Sequence, residues 1–445
     1  MPMRDELRPM LRLAIPVIVA EVGWISMGLV DTLMVGRLGA ASIGAVGTGS
    51  ILYMAVMVVG FGTLFALDTF VSQSFGAGRI DECHRWLFAG IQVAAVLTVV
   101  LTALSMILVW MLPAIGLHPD VLVLIKPYLW RLLWSTPPLL AYAVFRRYLQ
   151  AMHVVRPVMF ALLLANLVNL TGNWVLIYGH LGFPAMGVVG SAWATVLSRI
   201  ALAAFLFAVI VRRERTRPSG LHDVPFVWDF SRNWRIVRLG VPAAGQIVLE
   251  VGIFAAASAL AGRIAPTALA AHQIVLNIIS FIFMAPLGFS TAAAVRVGHA
   301  VGRGDPRGAR AAGWAALTLT TMLMTLSATL LALAPRWLVT LFTRDPEVIR
   351  IGVGLLLVAA VFQLFDGMQA VATGALRGLG NTHTPMLVNL VGHWLMGLPI
   401  AYVLCFNRGL GAQGLWIGLA SGLIVTGAVL LGVWDRQSRA IGLPT

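Results

Sequence analysis

Charge is scarce in this sequence. Only 11% of the 445 residues are Asp, Glu, Lys or Arg, whereas 59% are hydrophobic and the mean hydropathy is +0.90. A soluble domain carries roughly a quarter charged residues, so that class is excluded and the chain reads as a polytopic membrane protein. Cysteine is scarcer still. Cys83, expected in a loop, and Cys405, in an apolar run, have no CxxC or His-rich surroundings, which excludes a disulfide framework and a zinc site. HExxH and GxSxG are absent, and His272, His299, His383 and His393 are dispersed. Neither enzyme activity nor a cofactor is therefore expected. The net charge of +14 comes from arginines lying between apolar runs, the pattern of membrane topology rather than of nucleic-acid binding.

What is present is a repeat. Leu13 to Gly78 and Leu239 to Gly304 align without a gap at a constant offset of 226 residues (239 − 13), pairing Arg12 with Arg238, Pro16 with Pro242, Gly36 with Gly262, Gly62 with Gly288 and Gly76 with Gly302. Duplicated hydrophobic halves are the build of transporters. Apolar runs long enough to span a bilayer fall near 11–35, 44–73, 86–112, 122–149, 157–178 and 187–211, then near 236–262, 268–297, 311–334, 350–376, 384–406 and 410–434. The expectation is an all-α protein of twelve transmembrane helices in two six-helix lobes, 1–212 and 234–445, joined by a polar linker at 213–233. Arg4, Arg8 and Arg12 precede a first run too long for a signal peptide, so it reads as a retained span. The N-terminal tail, Arg79, Arg85, Arg146, Arg147, Arg156, the linker, Arg296 to Arg310, Arg436 and Arg439 share one side. By the positive-inside rule that side is cytoplasmic and holds both termini. Pro16, Pro242 and Pro286 are expected to kink their helices and free carbonyls towards a cavity.

Five acids lie inside the spans: Glu21, Asp31, Asp68, Glu250 and Asp366. Each costs about 2.5–3.5 kcal/mol near the bilayer centre and needs a compensating role. At 1.5 Å per residue, Glu250 lies about 18 Å from Arg238 and Asp366 about 16 Å from Arg377, so the two reach one depth and can share a cavity. Two carboxylates in a low-dielectric pocket do not both ionise cheaply. Such a pair can carry a proton, a sodium ion or a ligand cation. Asp31 overlaps in depth with Asn169 and Asn173, and Asn166, Asn169 and Asn173 share a helix face. A carboxylate with amide and hydroxyl oxygens suits a small cation, although asparagines also join helices by hydrogen bonds. Glu21 and Asp68 are secondary candidates, with an interhelical hydrogen bond as the competing reading.

The stretches LVDTLMVGRLG, VSQSFGAGR, NLVNLTGNWVLIYG, GVVGSAWATVLS, AAHQIVLNIISFIFMAPLGFSTAAAVRVGHAVGRGD and FDGMQAVATGALRGLGNTHTP resemble the multidrug and toxin extrusion (MATE) family from about 11 to 434. The glutamate of VLEVGIF with the aspartate of LFDGMQ resembles its NorM-like branch. The resemblance implies a multi-pass protein of the bacterial inner membrane, working as a monomer, that exports organic cations in exchange for Na+ or H+ through a cavity between the lobes. It gives Glu250, Asp366 and Asp31 the cation-coupling role, with Na+ possible at Glu250 and Asp366. Asp31, Asn169, Asn173 and Thr195 become the polar site of the first lobe. Asp68 resembles eukaryotic, proton-coupled members instead, which leaves both ions open. Trp24, Tyr53, Phe254, Phe281 and Phe365 are candidate cation–π contacts. The alternative is an exporter of a narrow metabolite or lipid-linked substrate, a flippase of the same superfamily, but such a cavity favours arginine, and here arginine is read at the span edges. A major-facilitator carrier would show a GxxxDRxGRR-like motif, which GAGRIDECHR does not supply.

Overall fold

A computed structural model describes residues 3–115 and 118–440. Helices α1 (Met3–Gly36), α2 (Ala40–Leu64), α3 (Ala66–Gly76), α4 (Ile80–Met111), α5 (Pro119–Leu132), α6 (Thr136–Ala151), α7 (Arg156–Tyr178) and α8 (Val188–Thr216) precede the linker. After it come α9 (Phe230–Gly262), α10 (Pro266–Gly302), α11 (Pro306–Leu333), α12 (Pro335–Thr340), α13 (Pro346–Gly378), α14 (His383–Asn389), α15 (Leu398–Tyr402) and α16 (Gly411–Ala440), with π-helical turns at Leu390–Gly397 and Val403–Asn407. No strand occurs among the described residues, so the all-α expectation holds.

Eleven of these helices or helix runs are long and apolar enough to cross a membrane. The remaining expected span, 122–149, is divided into α5, a 3₁₀ turn at Leu133–Ser135 and α6. Pro137 and Pro138 explain the break, because neither has the N–H that would bond the Leu133 and Trp134 carbonyls four residues back. Ser135 Oγ turns back onto the Leu132 carbonyl at 2.6 Å there. Cys83 lies within α4 rather than in a loop, its buried thiol directed at the Val71 and Arg79 carbonyls. Ile51, Val99, Val123, Leu326 and Val361 are each at least 65% exposed, which suits lipid and not water.

By packing, the chain forms two compact units that differ from the expected lobes: Val19–Ala244 is one, and Met1–Ile18 with Gly245–Thr445 is the other. The chain passes between units inside α1 and α9, two residues after Pro16 and Pro242, and 18 and 244 are themselves 226 apart. The linker therefore belongs to the first unit. Gln92 clamps it, with Nε2 donating to the Val227 carbonyl at 2.7 Å and Oε1 accepting from Asn233 at 2.9 Å. Asp229 accepts from the Arg232 N–H at 2.9 Å, as an N-cap does, and that bond holds its carboxyl below the usual value.

Glycine enforces the exchange. A Cβ on Gly62 of α2 would lie 2.3 Å from Ala244 Cα, and one on Gly288 of α10 would lie 2.3 Å from Ile18 Cγ1. These are equivalent positions in the repeat, each meeting the start of the other half's first helix within its own unit. Gly62→Val should lower the unfolding temperature by the equivalent of about 1–3 kcal/mol or more, the usual penalty of overpacking. Gly28→Ala, where a Cβ meets nothing within 4 Å, is the control in the same melting measurement.

Candidate functional site

In the first unit α1, α7 and α8 converge on Asp31. Its Oδ1 accepts from Asn169 Nδ2 at 3.0 Å and Asn173 Nδ2 at 2.6 Å, and its Oδ2 accepts from Thr195 Oγ1 at 3.1 Å. Asn173 also donates to Asn169 Oδ1 at 3.2 Å, and all four side chains are buried. The four residues grouped from the sequence are thus together, but the amides present nitrogen to the carboxylate, not the strip of oxygens expected for a cation. Asn166 is elsewhere, donating to the Gly23 and Leu162 carbonyls at 2.9 Å and joining α7 to α1.

One turn beyond Thr195 on α8 is Arg199, also buried and within electrostatic reach of Asp31. Its Nη1 donates to Ser135 Oγ at 2.5 Å, and its guanidinium lies 4.9 Å from the centre of the Tyr53 ring. Tyr53 OH bonds Ser135 and Thr136 at 3.1 Å each. Arginine is thus not confined to the span edges. The signal was legible as a lone basic residue within VLSRIALAAF.

Glu21 and Asp68 each meet an arginine. Arg146 donates to Glu21, and Arg147 Nη1 donates to Asp68 Oδ2 at 3.1 Å, all within the first unit. The two arginines counted as topology charges are buried partners of these acids, because each is long enough to turn inwards from the end of α6. Trp24 stacks on Tyr142, and the Tyr53 face already holds Arg199, so neither ring stands open. Phe281 is 56% exposed.

The second unit places Glu250 on α9 and Asp366 on α13 close enough to repel one another. Gln369 Nε2 donates to Glu250 Oε1 at 3.4 Å, and Gln246 Nε2 to Thr373 Oγ1 at 3.4 Å, so successive turns of the two helices oppose each other. Neither carboxylate forms an ion pair among the described residues, unlike Glu21 and Asp68. The buried Oε1 of Gln369 has no hydrogen-bond partner among them either. Carboxylate and amide oxygens form a donor set suited to a hard cation or to a proton. Gln369 was missed from the sequence, although it lies three residues from Asp366 on the same helix face.

The MatE family profile matches residues 16–175 and 242–403, two segments that start 226 residues apart. The chain belongs to the MatE family. Within the family it is similar to a probable multidrug resistance protein NorM of Mesorhizobium japonicum, 36% identical over 98% of this chain and 95% of that protein. A protein of the same description from Brucella suis is 35% identical over 96% and 92%. The family member is thus NorM-like, as the residues around Glu250 and Asp366 suggested. Its fold matches the eukaryotic MATE transporter AtDTX14 with a TM-score of 0.86 at 23% identity, covering 99% of this chain and 98% of that one. A MATE protein in complex with MaD3S gives 0.89 at 20% identity, covering 98% and 97%.

Proposed function

We propose that this MatE-family protein is a secondary active multidrug efflux transporter, exporting organic cations in exchange for Na+ or H+ by alternating access. The observation that carries the reading is the contrast among the five acids. Arginines compensate Glu21 and Asp68, and three neutral donors satisfy Asp31, but Glu250 and Asp366, within electrostatic reach of each other, form no ion pair among the described residues. A carboxylate pair left this way within a membrane is stabilised by binding a cation. One coupling ion moving inwards releases about 2.3 kcal/mol per 100 mV, and its binding weakens the attraction for an organic cation at the same charges. The relatives described as probable multidrug resistance proteins support the substrate class. The protein then works in a bacterial inner membrane with both termini cytoplasmic, as a monomer, with no cofactor beyond the coupling ion.

The test is efflux of a fluorescent lipophilic cation from proteoliposomes under a sodium gradient and, separately, a pH gradient at clamped potential. Dye export driven by either gradient is the expected result, and the gradient that works names the ion. If neither moves the dye, the drug-pump reading gives way to a narrow metabolite or lipid substrate.

Asp31→Asn should behave differently from a substitution in the carboxylate pair. It leaves the Asn169, Asn173 and Thr195 donors facing an amide, so stability should fall by about 1–3 kcal/mol and efflux should fall with it. Melting curves and efflux rates read together check this; wild-type values for both would remove the first-unit cluster from the mechanism.

A further inference from the structure

A small pocket in the second unit is bounded by Ile253 and Phe254 of α9, Phe362 of α13, His393 of the π-helical Leu390–Gly397 turn, and Trp416 and Leu423 of α16. About 20 Å³ is open within it, enough for one water molecule. His393 is 5% exposed, and neither ring nitrogen has a hydrogen-bond partner among the described residues. An imidazole buried this way leaves polar atoms unsatisfied at a cost that the apolar walls do not offset. The π-helical turn is a second departure from regular structure at the same residue, and such turns concentrate at functional sites. Small residues permit it: a Cβ on Gly392 would lie 2.0 Å from Thr426 Oγ1 of α16.

The pocket has a defined position relative to the carboxylates. Gln246 opposes Thr373, Glu250 is joined to Gln369, and Phe254 and Phe362 share the pocket, so α9 and α13 run antiparallel through these positions. Phe254 follows Glu250 by one turn, and Phe362 precedes Asp366 by one turn. The pocket therefore lies about 6 Å along both helices from the pair, on the side away from the linker. With the linker cytoplasmic, that is the outer side. A second titratable group, His272 of α10, contacts Trp416 of the pocket wall. The Trp416 indole N–H donates to its Nδ1 at 3.0 Å, so its proton is on Nε2, which faces Ser258 Oγ at 2.9 Å. No charged side chain of α16 lines the pocket.

We propose that His393 and this pocket form a water or hydronium site that relays protons between the outer side and the Glu250–Asp366 pair. One ring nitrogen accepts a proton from water arriving from outside; the other releases its own through a water to a carboxylate. The imidazole ends neutral in its other tautomer and the carboxylate ends as the acid; the carboxylate later releases its proton to the cytoplasmic side, and the imidazole returns to its first tautomer by exchanging protons with water. The inference rests on the antiport reading and specifies its ion as the proton. His393 acts as a positioning and relay residue, and substrate need not touch it.

The test compares wild type, His393→Gln and His393→Asn, full length in proteoliposomes, after melting curves identify which variant is folded. Both amides can bond a water but cannot exchange one proton for another in this way. Efflux driven by a pH gradient should fall about tenfold or more and lose its dependence on outside pH, while dye-for-dye exchange at equal pH stays at the wild-type rate. A folded variant with the wild-type driven rate and pH profile overturns the relay but leaves antiport standing. Wild-type efflux driven by sodium alone and indifferent to pH overturns it as well. Absence of any gradient-driven efflux in the wild type removes the antiport reading itself.

Discussion

Glu250→Gln and Asp366→Asn should each abolish gradient-driven efflux, a loss on the order of a hundredfold or more, without lowering the unfolding temperature. The two halves of that expectation share one cause. Both carboxyls are in the membrane without an ion pair among the described residues, so charge there costs about 2.5–3.5 kcal/mol on insertion scales. An amide of nearly the same shape removes that cost and can still meet Gln369, which now bonds Glu250 at 3.4 Å. Stability should hold or rise. Transport loses the group whose negative charge attracts both coupling ion and substrate. Purified variants are melted first and then assayed under each gradient. Wild-type efflux by both would sink the second-unit assignment, whereas a fall in melting temperature matching the fall in efflux would make the pair structural.

The parts of this molecule legible in the sequence are those where cost is local. An acid in an apolar run is expensive wherever the chain goes, so all five were visible; counting residues along helices brought Glu250 to the depth of Asp366 and Asp31 to that of Asn169 and Asn173, and the family resemblance added Thr195. The repeat was visible because equivalent glycines keep equivalent contacts, as Gly62 and Gly288 do with Ala244 and Ile18. What was hidden depends on partners distant in sequence. Arg146 and Arg147 fit the positive-inside rule equally well whether they face water or an acid, and only packing decides. Asn166 lies on the face that carries Asn169 and Asn173 yet finds backbone carbonyls instead. The boundary of the units could not be placed at Ile18 and Ala244 from composition, because no polar stretch marks a crossing inside a helix. The π-helical turns around His393 leave no pattern in an apolar run, since their register departs from that of the α-helix.

Arg147→Met should destabilise the protein by about 3–5 kcal/mol, the usual consequence of removing one member of a buried ion pair. Asp68 is completely buried and Arg147 nearly so, 3.1 Å apart, with the guanidinium also 4.0 Å from the centre of the Phe65 ring. Removing the arginine leaves the carboxylate without this partner where water cannot replace it. Asp68→Asn leaves the arginine stranded in turn, so it should also destabilise. The double variant should lie closer to wild type than either single one, because no charge of the pair is then left alone. A double-mutant cycle on melting temperature measures the coupling. The same set of variants separates structural from transport roles. If Asp68 only holds Arg147, the double variant should recover efflux along with stability; if Asp68 carries the coupling ion, stability returns and efflux does not. Additive single effects would mean that the pair, despite its geometry, contributes nothing that either residue lacks alone.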